Sequence, residues 1–286
     1  MKIVKPYKKI FIIATIASLM ACSKEEKLTD SQLDTSTPLM SPLDNWIKTN
    51  FVDPYNIEMY YKWNQNIVDN NRFLFPPTEE KVQPALDVVK RIWINTYNTI
   101  GGADFIKRHA PREFVLVGGV NLNPTGTIRL GEADQGMRIS LFQVDDLDRR
   151  SRASVTRFIK TIQHEYAHIL TQNAPFDEAA FAAITPAGYT SNWNQFTLAQ
   201  AREKGFITQY AQDKAFEDFA EMIATMLTIS EADYNTIING ITSEQARNAI
   251  RAKEAQVVKY YRDAHNIDFY RLRDVAQQNT LDVINN

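Results

Sequence analysis

Apolar residues recur along this chain at two spacings, and each change of spacing marks a change of expected structure. Val82, Ala85, Leu86, Val89, Ile92 and Trp93 fall three and four apart, which predicts a helix over 78–109, ended by Pro111. Phe114–Val117 then reads as a strand, Gly118-Gly119 and residues 121–126 as turns, and Met137–Val144 as a second strand stopping at Asp145-Asp146. A long helix is expected from Ser154 to Thr171, with Val155, Ile159, Ile162, Tyr166 and Ile169 along one side. Another is expected from Ala215 to Ile229, apolar nearly all round. The tail continues in helices: Thr242 to Gln245 has a capping-box pattern before a segment reaching His265, and a last helix follows from Asp268. Together these elements predict an α+β fold, mostly helical, with a small twisted sheet beside the 154–171 helix.

The first residues follow a different pattern. Lys2, Lys5, Lys8 and Lys9 precede an apolar run, Ile10–Ala21, that is too short for a membrane span of about 20 residues and reads as a secretory signal over residues 1–21. Cys22, which follows Leu19-Met20-Ala21, is the single cysteine of the 286 residues and cannot form an internal disulfide. Its setting looks like a bacterial lipobox, in which Cys22 would be lipidated at the mature N-terminus. The acidic residues after it resemble the export signal of surface-exposed Bacteroidetes lipoproteins, which implies a lipid-anchored protein of the outer membrane and favours the cell surface, with the periplasmic face as the alternative.

Polar residues 22–41 read as a flexible tether. The remainder, 42–286, is expected to divide into an N-terminal helical region to about 110, a catalytic core over about 111–230 and C-terminal helices over about 231–286. Trp46, Phe51, Tyr55, Tyr60, Tyr61 and Trp63 crowd the start of that domain, at mixed spacing that suits packing better than a ligand surface. Without the four leader lysines the chain has 28 basic against 34 acidic residues, a formal charge of −6, so no nucleic-acid partner is expected. Gly118, Gly119 and Gly126 lack phosphate-loop spacing.

Chemistry concentrates in His164-Glu165-Tyr166-Ala167-His168, an HExxH pattern. Residues four apart share a helix face, so both imidazoles can reach one zinc ion. Glu165 stands about 100° round the axis, beside the open coordination position where a general base is needed. The chain has four histidines, His109, His164, His168 and His265, so this spacing seldom arises by accident.

A catalytic zinc takes a third protein ligand. Phe216-Glu217-Asp218-Phe219-Ala220-Glu221 sets three carboxylates in an otherwise apolar helix, where burial is costly unless each acid is paired or bound to metal. Glu217 is the candidate ligand, and Glu221, one turn on, is the candidate acceptor for a histidine N–H behind the metal. Asp218 points elsewhere, either supporting the site from outside the ligand set or accepting hydrogen bonds from the N-terminal lobe.

The HExxH together with the run from Gly205 through Tyr210 to Glu217 and Glu221 resembles the zinc-binding metallopeptidase lipoproteins associated with nutrient import in Bacteroidetes, over most of the mature chain. The ExFAE piece, with a tyrosine seven residues before its first glutamate, is also similar to lethal-factor-like zincins. The resemblance implies Glu217 as third ligand, Tyr210 as the oxyanion-stabilising group, a protein or peptide substrate and a TonB-dependent importer with its binding lipoprotein as partners. One departure is that glutamate-zincins commonly carry aspartate four residues after the ligand, where this chain has Glu221.

The expected reaction is zinc-assisted amide hydrolysis with Glu165 as base, substrate pairing to Met137–Val144 as an edge strand. Two rivals stay open: a zinc hydrolase of non-peptide amides or esters, and a non-catalytic binding lipoprotein with structural zinc.

Overall fold

The computed structural model describes residues 39–123, 126–134 and 136–286, so the expected signal, Cys22 and nearly all of the tether lie outside the described residues. Helix α1 (Pro42–Ile47) starts with a reciprocal cap: the Ser41 hydroxyl accepts from the Asp44 N–H, and the Asp44 carboxylate accepts from the Ser41 N–H. Of the aromatics that follow, Phe51 is fully enclosed and Tyr61 buried, while Trp63 stays half in solvent.

The helix expected over 78–109 is interrupted. Helix α2 (Glu79–Val88) passes through a wider π-wound stretch, Val89–Ile94, into α3 (Asn95–Gly101). Gly102 then takes φ 93°, a left-handed value open to glycine, which ends the helix before a separate short α4 (Phe105–His109).

The strands are β1 (Glu58–Tyr60) and, after a long helical interval, the closely spaced β2 (Glu113–Leu116), β3 (Asn121–Leu122), β4 (Ile128–Arg129), β5 (Gly131–Asp134) and β6 (Arg138–Leu141). Four form a mixed sheet in the order β1-β2-β6-β5, with β5 antiparallel to β6 and the other pairs parallel; β3 and β4 make a separate hairpin. The N-terminal region, expected to be helical, thus donates one strand.

The strand expected at Met137–Val144 is present as β6, but it is an interior strand and cannot be the substrate-pairing edge. That edge is β5. In its register with β6, Leu130 O accepts from Phe142 N–H, and the alternation of an antiparallel ladder turns the N–H and C=O of Gly131 and Ala133 to the open side.

Helix α5 (Arg152–Asn173) is the central element. Ser151 caps its start, its hydroxyl accepting from the Ser154 N–H, and Pro175 holds Ala174 in an extended conformation that ends it. Tyr166 on its back meets Trp93 and Tyr97 edge-on, with ring centroids 4.9 and 5.0 Å apart. The buried Tyr97 hydroxyl reaches Gln163 Oε1 at 3.1 Å and the Tyr261 hydroxyl at 3.0 Å, fixing the rotation of α5 about its axis.

After α6 (Glu178–Ala182) and α7 (Leu198–Glu203), α8 (Ala215–Thr228) packs along α5, buried over nearly its whole length as its composition required. Phe219 stacks on Phe176 with centroids 3.9 Å apart; full burial of such a ring is worth about 2 kcal/mol. Helices α9 (Glu231–Asn239), α10 (Glu244–His265) and α11 (Phe269–Asn285) close the domain.

The capping box expected from Thr242 to Gln245 does not form. Ser243 is the cap of α10, and the Glu203 carboxylate takes the N–H groups of Thr242 and Ser243. Among the described residues no helix is long and apolar enough to cross a membrane.

Candidate metal centre

The last four turns of α5 and the first turn of α8 meet at one point. His164 and His168 turn Nε2 inward, and the buried Glu217 carboxylate enters from α8. His164 Nε2, His168 Nε2 and Glu217 Oε2 lie 3.1 Å from one another on all three sides.

The three atoms converge on one point. His164 Nδ1 faces Glu221 Oε1 at 2.9 Å, which places a proton on Nδ1 and leaves Nε2 of the neutral ring as a lone pair directed at that point with the Glu217 carboxylate. Such a donor set suits a cation. Donors 3.1 Å apart sit about 1.8 Å from their common centre, close enough for all three to reach one ion at the usual zinc–ligand length of about 2.0–2.1 Å. Two imidazoles and one carboxylate suit zinc.

The metal-free electrostatics agree. Burial favours neutral His164, but Glu217 and Glu221 more than reverse this and lift its pKa to about 10. Burial lowers that of His168, the nearby His164 adding to it while Glu217 opposes. Glu217 and Glu221 lie well below the usual carboxylate range. Burial works against both, and is outweighed by the imidazoles at Glu217 and by Lys160 with His164 at Glu221.

Behind the triangle, Glu221 Oε2 also accepts from Lys160 Nζ at 2.9 Å, so a Lys160, Glu221, His164 chain runs along the helix interface. Asp218 is not part of it. Fully enclosed on the other side of α8, it pairs with the equally enclosed Lys253 of α10 at 2.6 Å and accepts from the Tyr189 hydroxyl at 3.0 Å. That corrects both expectations for Asp218: its partners come neither from the metal ligands nor from the N-terminal lobe. Lys253 was not legible as a buried residue, because it stands in the polar run Arg251-Ala252-Lys253-Glu254.

Glu165 occupies the wall between the triangle and β5. Burial raises its pKa to about 7, His164 opposing and Glu217 adding to the rise. The approach of the strand is close: a Cβ on Gly131 would stand 2.5 Å from Thr161 Cγ2 and 2.9 Å from Glu165 Oε1, so any side chain there would have to displace Thr161 or Glu165. Opposite, Tyr210 lies in a 3₁₀ turn (Tyr210–Gln212), its ring centroid 5.9 Å from His164 and 5.0 Å from Trp193. Burial, then the nearby Glu217 carboxylate, pushes its pKa well up, so the hydroxyl keeps its proton.

All of these groups line one open cleft of about 580 Å³, floored by α5 and walled by β5 on one side and by Trp193, Tyr210 and Phe216 on the other. Phe216 stacks on His168 with centroids 4.3 Å apart. β5 and Gly131 were missed in the sequence, where Gly131-Glu132-Ala133-Asp134 shows neither apolar alternation nor β-branched residues.

A helix presenting two histidines and a neighbouring glutamate, a second helix presenting a glutamate, and an open cleft beside an edge strand define a zinc metallohydrolase centre. Comparison with known proteins narrows the class. Residues 37–270 match the family described as "Putative zinc-binding metallo-peptidase", and the chain belongs to that family. Its fold is similar to the crystal structure of a putative zinc-binding metallo-peptidase from Bacteroides caccae ATCC 43185, at 30% identity and a TM-score of 0.72, covering 90% of this chain and 98% of that one. No curated protein matches. The protein is a zinc metallopeptidase.

Proposed function

We propose that this peptidase cleaves extended segments of protein or peptide laid along the open edge of β5. The observation that carries the reading is Glu165, a nearly enclosed carboxylate with its pKa raised to about 7, beside three metal donors and facing an open cleft.

His164, His168 and Glu217 would hold the zinc, which polarises a carbonyl and acidifies water when bound. Glu165 takes the proton of the attacking water and returns it to the leaving nitrogen, a task suited to a pKa near neutrality. The protonated Tyr210 hydroxyl donates to the oxygen on which negative charge develops. Glu221, steadied by Lys160, keeps His164 Nδ1–H in place so that Nε2 faces inward. The outward N–H and C=O groups of Gly131 and the C=O of Ala133 pair with the substrate backbone, while the Ala133 N–H donates to the Glu165 carboxylate, an arrangement that favours peptides over small amides or esters.

The same reading puts the enzyme outside the cytoplasm, tethered by lipid on Cys22 to the outer membrane and trimming captured protein or peptide for a TonB-dependent importer. The leader pattern and the family resemblance support this; Cys22→Ala that stays in the membrane fraction would refute the anchor.

The test of the chemistry is Glu165→Gln. Zinc content should stay near one per chain while hydrolysis of mixed peptides falls by about 10³-fold or more. Cleavage near the wild-type rate removes Glu165 as the base, and chelator-insensitive cleavage removes the metal mechanism.

A further inference from the structure

Three cationic side chains line the cleft: Arg129, Arg157 and Lys160. Two are neutralised where they stand, Arg129 by Glu132 at 2.7 Å and Lys160 by Glu221 at 2.9 Å. The exposed Arg157 guanidinium has neither hydrogen bond nor ion pair among the described residues. Among the described residues it is the one uncommitted cation of a cleft that also holds the carboxylates of Glu132, Glu165, Glu217 and Glu221.

Its place is fixed by helix geometry. Arg157 is seven residues before His164, which returns it to within about 20° of the metal face and sets it about 10.5 Å toward the N-terminus of α5. β5 runs alongside in the same direction. Leu130 borders the cleft with Arg157, Gly131 abuts Thr161 and Glu165, and Gly136 faces Gln172. An extended peptide on that edge therefore has one end over Arg157 and the other over Gln172 and Phe216, which carry no charge. At about 3.3 Å per residue, the 10.5 Å offset corresponds to about three residues from the bond being cut. The recess beside Arg157 is small, about 10 Å³, and is lined by Leu130, Leu141, Phe142 and Phe158 together with the polar Gln143, Ser154 and Thr161.

The geometry points to a carboxylate-binding subsite at Arg157, recognising a substrate carboxylate about three residues from the scissile bond. This rests on the cleft being the peptide-binding site. The guanidinium fork matches a carboxylate with two parallel N–H donors, whether the acid is an Asp or Glu side chain or the free C-terminus of a short peptide.

The test uses zinc-loaded wild type and Arg157→Glu, with cut sites in a mixed peptide library read by mass spectrometry. Wild type should favour an acidic residue over lysine by about fivefold at about the third position on one side of the cut, and Arg157→Glu should reverse the preference. Matched peptides ending at that position, as free acid and as amide, separate a terminal carboxylate from a side-chain one. Equal charge preference in both proteins, or none in either, overturns the subsite.

Anisotropy with the same peptides, labelled, on zinc-loaded Glu165→Gln with and without Arg157→Glu keeps the two readings apart. A carboxylate preference in binding that depends on Arg157, with no cleavage by wild type, retains the subsite and removes peptide hydrolysis. Cleavage without charge preference removes the subsite alone, and neither binding nor cleavage removes both.

Discussion

Replacing Lys253 with methionine tests how α8, the helix that presents Glu217, is held. Lys253 and Asp218 are both fully enclosed and 2.6 Å apart, and Lys253 also donates to Gly205 O at 2.8 Å and lies over the Phe206 ring at 3.8 Å. At an effective dielectric of about 20 the ionic attraction at this distance is about 6 kcal/mol, and the desolvation of two buried ions is of similar size. Burial leads in both pKa shifts, lifting Asp218 to about 6 and lowering Lys253 despite their pairing, so the intact pair should add little net stability. Removing one partner is another matter. Lys253→Met leaves a dry carboxylate whose Oδ1 already has no hydrogen-bond partner, at a cost of about 3–5 kcal/mol. For a domain of this size that lowers the Tm by roughly 6–20 °C. Calorimetry on Lys253→Met, Asp218→Asn and the double variant reads it directly. The double variant should recover to within about 2 kcal/mol of wild type, because no charge is then stranded. A loss below about 1 kcal/mol in Lys253→Met, or a double variant as unstable as the sum of the singles, would falsify the argument.

Gly131→Val should lower kcat by about tenfold or more with zinc content unchanged, since its side chain would have to displace Glu165 or part β5 from α5; unaltered kinetics would show that the close approach is dispensable. His265 supplies a pH test. Burial first, then His109 nearby, lowers its pKa from 6.5 to about 4, so the unfolded chain binds more protons between those values. Stability should therefore fall as pH drops from about 6.5 to about 4, and His265→Gln should flatten that part of the Tm profile; an identical profile would exclude His265 as a cause.

The ligand set was legible because it depends on short-range spacing. His164 and His168 lie within one helical repeat, and three acids in an apolar helix could escape the cost of burial only by finding partners. That logic identified the right helix but could not apportion its acids: Glu217 reaches the imidazole Nε2 atoms, Glu221 reaches His164 Nδ1, and Asp218 turns away to Lys253, 35 positions on. The edge strand was illegible for a related reason. β5 is held by its ladder with β6 and shaped by contact with α5, and neither cause is written in Gly131-Glu132-Ala133-Asp134 itself. The helix expected over 78–109 breaks at Gly102, where the backbone turns, although apolar Phe105 and Ile106 follow within the same segment.

The three atoms that would hold the ion come from α5 and α8, and the 41 residues between those helices, 174–214, supply none of them. That connecting stretch nevertheless brings Trp193 and Tyr210 to the cleft. The connector thus builds the cleft wall opposite β5 and brings in Tyr210, so drift in its sequence would reshape that wall without touching the three side chains that would grip the ion.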